Sequence, residues 1–290
     1  MTSQLTILNS MADPDFNRAL AIHKEWGLKW LDLRDGIYGN WVANVDIDSA
    51  KRAREAIDAS GLDVFCMSTS TFFEEIEKGE DLFREKHLGK LGHLIELGKI
   101  FKPKVMRIIA AQLPSRQPGE NAVELIDEKY PWVFDVYREA VDRIVAAGLR
   151  PTIENEAFKC MLSQPGEVVE FFDRLDRKDS VDFTWDVQNQ WATGVFPTLD
   201  VYEQLRPLIQ YYHVKGGAME GDDRKLRWNV ALEDADWPVV EITSKVVADG
   251  VSPVICINPA QHGENKPDYD YSNIVKRDID FLRNNVPGVE

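Results

Sequence analysis

The segment that decides the fold is VAAGLRPTI, residues 145–153. An amphipathic helical stretch ends on a glycine there, and the chain restarts as a short apolar run typical of a buried strand. The same order returns in EWGLKWL (25–31), DASGLDVF (58–65) and VADGVSPVI (247–255). Glycine suits the junction because it adopts the left-handed backbone that ends a helix without steric cost. A repeated helix–glycine–strand unit predicts parallel strands joined by helices.

Eight apolar runs qualify as strands under this pattern. They are LTIL (5–8), KWLDLR (29–34), DVFCMS (63–68), KVMRIIA (104–110), RPTIEN (150–155), VDFTWD (181–186), YYHVKG (211–216) and PVICIN (253–258). Helical stretches separate them near residues 14–26, 46–59, 82–100, 131–147, 165–176, 198–209, 236–249 and 270–285. Eight such units predict a single-domain α/β fold, a (β/α)8 TIM barrel over residues 1–290. An open doubly wound sheet is the rival, but no GxGxxG motif follows the first strand.

Composition and charge limit the classes of binding partner and the expected location of the protein. The net charge of −15 disfavours nucleic acid, because phosphate binding needs a cationic surface. No apolar stretch approaches the ~18–20 residues of a membrane span, and the first ten residues do not have the pattern of a signal peptide. Three scattered cysteines without a CxxC motif favour reduced thiols and a cytoplasmic location. The sequence is compatible with a homo-oligomer and does not define the oligomeric state.

Polar residues stand at the ends of the last four predicted strands. They are Glu154, Asp186, His213 and Asn258. Each has an ordinary interpretation when taken alone, such as a turn former or a hydrogen-bonded core histidine. In a TIM barrel, however, the carboxyl ends of the strands meet at one mouth, so these side chains are expected to converge. Carboxylate, imidazole and amide ligands suit one divalent metal ion: Mn, Co, Mg or Zn.

Further polar residues near strand ends complete the predicted site. Lys215 and His262 are candidate acid–base groups, and Lys215 and Arg224 are candidates for holding a carboxylate or phosphate. The predicted substrate-binding residues are Arg34, Gln112, Asn189 and Arg224.

Three of these motifs resemble those of the xylose isomerase-like TIM barrels, the sugar phosphate isomerase/epimerase superfamily. GLRPTIENE (148–156) resembles the family's strand-five Glu motif, FTWDVQNQWATGVFP (183–197) its Asp-x-x-His/Asn motif, and LIQYYHVKGG (208–217) its His-x-Lys motif. The resemblance implies a divalent metal held by Glu154, Asp186, His213 and a fourth carboxylate. In this chain Asn258 stands at the fourth position. The family's three-zinc endonuclease branch is a poor match, since this chain has five histidines and a charge of −15.

The amide at Asn258 shapes the expected reaction. An amide cannot take a proton at neutral pH, whereas epimerisation at carbon commonly uses two bases on opposite faces. We therefore expect a metal-dependent isomerase that acts on a sugar or polyol derivative, with Glu154 as the base for proton transfer next to a carbonyl. A lyase or dehydratase stays open, as does an epimerase if His262 replaces the missing base. A non-catalytic carbohydrate-binding barrel is the alternative from another class.

Overall fold

A computed structural model describes residues 1–221, 225–259 and 271–290. Eight parallel strands form the sheet in the order β1-β10-β7-β6-β5-β4-β3-β2. Their bounds are β1 Gln4–Ile7, β2 Trp30–Leu33, β3 Asp63–Ser68, β4 Val105–Ile109, β5 Pro151–Glu154, β6 Asp182–Asp186, β7 Ile209–Val214 and β10 Val254–Ile257. A single parallel bridge between Leu8 and Asp32 joins the two outer strands. The predicted (β/α)8 barrel is confirmed.

Helices cover the outside of the barrel. They are α1 Phe16–Glu25, α2 Ile47–Ser60, α3 Glu80–Phe83, α4 Gly89–Phe101, α5 Ala122–Lys129, α6 Trp132–Ala146, α7 Pro165–Leu175, α8 Val187–Ala192, α9 Leu199–Leu205, α10 Val239–Asp249 and α11 Tyr271–Asn285. No helix in the described ranges combines the length and apolar character needed to cross a membrane.

The core has two layers, one inside the barrel and one between sheet and helices. On α6 the residues Val133, Val136, Ala140 and Ile144 recur with the helical period and are fully buried against the sheet. Each such valine or isoleucine contributes roughly 1.5–3 kcal/mol by leaving water. The sheet is buried on both faces, as expected when helices cover parallel strands.

The glycines at the helix–strand junctions adopt the left-handed backbone that the sequence predicts. Gly61 ends α2 with a φ of 74°, and Gly250 ends α10 with a φ of 67°. Both angles lie in the left-handed region that other residues enter only with strain.

The structure adds short elements that the sequence pattern missed. The predicted helix over 82–100 is divided into α3, a π-helical turn at Arg84–Leu88, and α4. An antiparallel hairpin of β8 Ala218–Glu220 and β9 Lys225–Arg227 follows β7. Three-residue strands and one-turn helices are too short to show a period in the sequence.

Candidate active site at the carboxyl end of the barrel

The site centres on three buried side chains from the ends of neighbouring strands. His213 Nδ1 lies 2.8 Å from Glu154 Oε1 and 3.8 Å from Asp186 Oδ2. One ligand atom from each residue lies within 4.8 Å of the other two. The three side chains are at most 1% exposed. Strand alternation explains the convergence, because each residue lies at or next to the carboxyl end of its strand with its side chain toward the barrel axis.

Asp186 is held in place by the start of helix α8. Its Oδ1 accepts hydrogen bonds from the backbone N–H groups of Gln188 (3.1 Å) and Asn189 (2.9 Å), as an N-cap does. Asn155 fixes the same strand end from β5, with its amide bonded to the backbone N–H and C=O of Asp186 at 2.8 Å each. The contacts with helix α8 use Oδ1, and those with Asn155 use the backbone of Asp186. The other carboxylate oxygen, Oδ2, is left facing His213.

Two cations compensate the buried carboxylates. Arg107 Nη1 lies 2.6 Å from Glu154 Oε2, and Lys215 Nζ lies 2.8 Å from Asp186 Oδ2. Burial alone would raise the pKa of Glu154, but the charges of Arg107 and His213 outweigh burial and hold that pKa below its ordinary value. Lys215 and His213 likewise keep the pKa of Asp186 low against its burial. Both carboxylates are therefore ionised at neutral pH.

His213 lies between carboxylates on both sides of its ring. Across the barrel its Nε2 is 3.8 Å from Asp32 Oδ2, and Tyr211 donates a 2.8 Å hydrogen bond to the same oxygen. Burial lowers the pKa of His213, but Glu154, Asp186 and Asp32 outweigh burial and raise it to about 9. The imidazole is thus protonated at neutral pH in this arrangement, and a metal ion would have to displace that proton.

A cavity of about 270 Å³ opens above these residues. Its wall includes Glu154, Glu156 and Asn258. Burial and the nearby charge of Glu154 raise the pKa of Glu156 to about 7. The Asn258 amide nitrogen is 3.5 Å from His213 Nδ1, so the amide borders the cluster.

The fold agrees with a family match. A family model described as the xylose isomerase-like TIM barrel matches residues 20–285. The chain belongs to this family. Among curated protein sequences, none matches the chain.

Solved structures of the xylose isomerase-like fold superpose over nearly the whole chain. The probable 3-DHS dehydratase of petrobactin synthesis from Bacillus anthracis has a TM-score of 0.70 at 17% identity, covering 98% of this chain and 99% of its own. A Mycobacterium smegmatis family member in complex with magnesium has a TM-score of 0.68 at 16% identity, covering 97% and 95%. D-psicose 3-epimerase from Clostridium cellulolyticum H10 with D-tagatose has a TM-score of 0.70 at 13% identity, covering 99% of both. At such identities the likeness shows the fold.

The structure brings most of the sequence-predicted residues together. The cavity wall contains Arg34, Asn189, Lys215 and Asn258 beside Glu154, and Lys215 Nζ donates a 3.2 Å hydrogen bond to Asn189 Oδ1. Asp186 and His213 do not line the cavity but lie buried beneath it, where Asp186 contacts Lys215 and His213 contacts Glu154. His262 and Arg224 lie outside the described residues, so their predicted roles stay predictions.

Gln112 does not line this cavity, and its predicted substrate-binding role stays a prediction. Strand β4 ends at Ile109, three residues before it. Gln112 forms backbone bridges with Glu75 and Cys160, and its side-chain Nε2 donates to the Phe158 carbonyl at 2.9 Å.

Sequence reasoning missed Arg107, Glu156 and Asp32. Arg107 and Asp32 each interrupt an apolar strand, with exposures of 5% and 0%. A charged residue inside a strand buried on both faces is itself a signal, since it must find a partner within the barrel. Glu156 follows Glu154 by two residues in the same motif, which was the available clue.

The donor set of the site fits a divalent metal ion. Glu154, Asp186 and His213 offer two oxygens and one nitrogen, the ligand types of Mn, Co, Mg and Zn sites. Buried His213 Nε2 has no hydrogen-bond partner among the described residues, whereas Asp186 Oδ2 is engaged by Lys215 Nζ at 2.8 Å. Arg107 and Lys215 already neutralise two carboxylates, so a cation here would be held less strongly than by the same carboxylates alone.

Proposed function

We propose that the protein is a divalent-metal-dependent isomerase that acts on a sugar or polyol derivative by proton transfer next to a carbonyl. The observation that carries the proposal is the convergence of Glu154, Asp186 and His213 within 4.8 Å at the floor of a polar cavity. The family's fold supports an enzyme of this kind. A small-molecule substrate, a cytoplasmic location and no nucleic-acid partner stay predictions from the sequence.

The metal would be held by Glu154, Asp186 and His213, with the amide oxygen of Asn258 as the fourth group. When bound, it supplies a Lewis acid that acidifies the C–H bond next to the substrate carbonyl. Asn258 has neither a negative charge nor a basic site, so it leaves proton transfer to other residues.

Glu154 is the proposed base. Its carboxylate lines the cavity, and Arg107 and His213 hold it in the ionised form. A low pKa makes Glu154 a weak base, which suits abstraction only from an acidified C–H. Lys215 can donate a hydrogen bond from its ammonium to a substrate oxygen, while Arg34 and Asn189 bind hydroxyl or carbonyl oxygens from the wall. Among the described residues, both cavity glutamates follow β5, so proton transfer takes place on one face of the substrate.

A lyase or dehydratase is the second candidate, and one specific observation favours it. Glu156 lines the same cavity, and burial together with the charge of Glu154 raises its pKa to about 7, so it holds a proton more readily than an ordinary carboxyl. Elimination of water needs a base for the C–H and an acid for the departing hydroxyl. Glu154 and Glu156 could divide these roles on one face. The non-catalytic barrel has less support, because a binding protein needs no ionised carboxylate beside a metal site.

The test uses metal-free protein reloaded with Mn, Co, Mg or Zn and a panel of ketoses, aldoses and keto-polyols in deuterated water. Isomerisation gives an aldose–ketose pair of equal mass, apart from incorporated deuterium, whereas elimination removes 18 mass units as water. The proposal expects solvent deuterium in the product with wild type and its loss with Glu154→Gln. Equal deuterium incorporation by both proteins would overturn the role of Glu154. Metal-independent turnover would overturn the metal's role.

A further inference from the structure

Three basic side chains line one small cavity in an acidic protein. The chain carries a net charge of −15, yet Arg34, Arg107 and Lys215 all line the 270 Å³ cavity. This cavity lies above the cluster of Glu154, Asp186 and His213. A random surface of this composition would be acidic. The concentration of cations is therefore a property of the site and not of the chain as a whole.

All three cations have a carboxylate partner, but only the pairs of Arg107 and Lys215 are deeply buried. Arg107 pairs with Glu154 at 2.6 Å, and Lys215 pairs with Asp186 at 2.8 Å. Each pair is deeply buried, so each positive charge is locally neutralised. Arg107 and Lys215 compensate the buried charges of Glu154 and Asp186. Because their own charges are neutralised in this way, they attract a further anion only weakly.

Arg34 differs from the other two cations. Its partner is the adjacent Asp35, 3.2 Å from Nη2, and its guanidinium lies 5.5 Å from the centre of the Trp41 ring. Among the described residues, the Nε atoms of both Arg34 and Arg107 are buried without a hydrogen-bond acceptor. These Nε atoms are shielded from the cavity as well as from water, so they are not themselves the contact offered to a substrate. The guanidinium of Arg34 has further N–H donors at the cavity wall besides the one bonded to Asp35, and an acceptor on the substrate can use them.

We propose that the substrate is a sugar acid or polyhydroxy acid whose carboxylate is bound by Arg34. This inference rests on the proposed function, because it names the substrate class of the same site. A planar carboxylate with one negative charge matches the edge of a guanidinium, and Trp41 covers the guanidinium face. A phosphate carries nearly two negative charges and would bring the second one close to Asp35 and Glu156. The cavity also lies below the roughly 300–1,000 Å³ of sites for larger ligands, which favours a small compound.

The experiment compares matched ligands by calorimetry with manganese-loaded protein. The pairs are gluconate with glucitol and glucuronate with glucose, and glucose 6-phosphate is the phosphate arm. We expect the acids to bind at least about tenfold more tightly than their neutral partners, with the advantage falling as salt rises. Equal binding within each pair, or preference for the phosphate, would overturn the inference.

Variants locate the contact. Arg34→Gln should abolish the preference, so that each acid and its neutral partner bind equally, while Arg34→Lys should restore part of the preference. Arg52→Gln is the matched control, since Arg52 stacks on Tyr38 at 3.9 Å outside the cavity wall and should change nothing. If Arg34→Gln keeps the full preference, the assignment is wrong.

Failure of this inference is distinguishable from failure of the proposed function. Acid-selective, Arg34-dependent binding without deuterium exchange would support the carboxylate site and reject the isomerase. Metal-dependent exchange on neutral sugars alone would support the isomerase and reject the carboxylate site.

Discussion

His213 on β7 reaches past β6 to contact Glu154 on β5, with 2.8 Å between Nδ1 and Oε1. The contact links strands that are not neighbours and draws Asp186, on the strand between them, into one cluster. In a barrel interior such a link is stable only when its charges are compensated, and Arg107 and Lys215 provide that compensation.

Replacing His213 by alanine should remove most of the bound metal. The substitution deletes the single nitrogen ligand of the cluster and leaves two carboxylates that Arg107 and Lys215 already engage. Metal content by mass spectrometry after dialysis should fall at least about tenfold. Circular dichroism checks that the barrel persists. His93→Ala is the control, because His93 contacts the Val45 carbonyl at 3.0 Å and should keep full metal content. Unchanged metal in His213→Ala would place the site elsewhere.

Asn258→Glu should tighten metal binding. Asn258 is 8% exposed and borders His213, so a carboxylate there adds a second short-range attraction to a dication, which its desolvation only partly offsets. We expect about a tenfold gain in calorimetric affinity. Turnover of the native substrate should not rise, although product analysis should show slow epimerisation once a second proton-accepting group is present. Equal affinity in both proteins would mean that Asn258 does not contact the metal.

Glu154→Gln should lower turnover on the order of 10²-fold or more at saturating metal. The amide keeps an oxygen ligand but loses the basic site. Glu156→Gln is an informative comparison. If the protein is an isomerase, Glu156→Gln should lower turnover much less than Glu154→Gln does. If it is a lyase, the two substitutions should lower turnover by about the same factor. A near-normal rate in Glu154→Gln would remove this residue from the chemistry.

The buried pair of Arg107 and Glu154 should show strong energetic coupling. Arg107→Met leaves the Glu154 carboxylate with less compensation and should destabilise the fold by about 3–5 kcal/mol. The double variant Arg107→Met/Glu154→Gln should lose less than the sum of the two single variants, with a coupling of about 1–3 kcal/mol in urea unfolding. Additive losses would show that the ion pair makes no net contribution. The Arg107→Met single variant should also raise the pKa of Glu154.

Stability should fall in mild acid because of His23. This imidazole on α1 is fully buried, and burial lowers its pKa from 6.5 to about 4. The unfolded chain takes up a proton below pH 6.5 while the folded protein resists until about pH 4. His23 therefore costs the fold about 3 kcal/mol as the pH falls through that window.

His23→Leu measures this effect by urea unfolding at several pH values. As the pH falls from 6.5 to 4, the unfolding free energy of the variant should rise relative to that of wild type. The difference is the quantity to follow, because Asp278 and Glu156 have pKa values raised to about 7 and change stability in the opposite direction. A difference that stays constant with pH would mean that His23 does not titrate on unfolding.

Local sequence signals predicted the barrel well because each signal is repeated. Glycine junctions, apolar runs and helical periods recur in every unit, so the architecture does not depend on any one of them. Glu154, Asp186, His213 and Asn258 could be found for the same reason, since each ends an apolar run at a position that a barrel makes common.

The residues that the sequence did not predict depend on distant partners. Asp32 meets Tyr211, 179 residues later in the chain, and Arg107 meets Glu154, 47 residues later. Nothing near either residue in the sequence shows these contacts. The place of Gln112 after a strand suggested the barrel mouth, but its backbone bridges are to Glu75 and Cys160, which are also distant in the sequence, and it does not line the cavity.

The single bridge between Leu8 and Asp32 is the seam of the barrel, and it has a consequence for heating. The seam is the line along which the fewest backbone hydrogen bonds must break, so opening should begin there, with fast amide exchange at β1 and β2. Asp32 belongs both to this seam and to the surroundings of His213. Separation of the seam would therefore disturb the imidazole while the other seven strand-to-strand pairings persist. Activity should be lost at a lower temperature than ellipticity. Between the two temperatures the secondary structure persists while the protein is inactive.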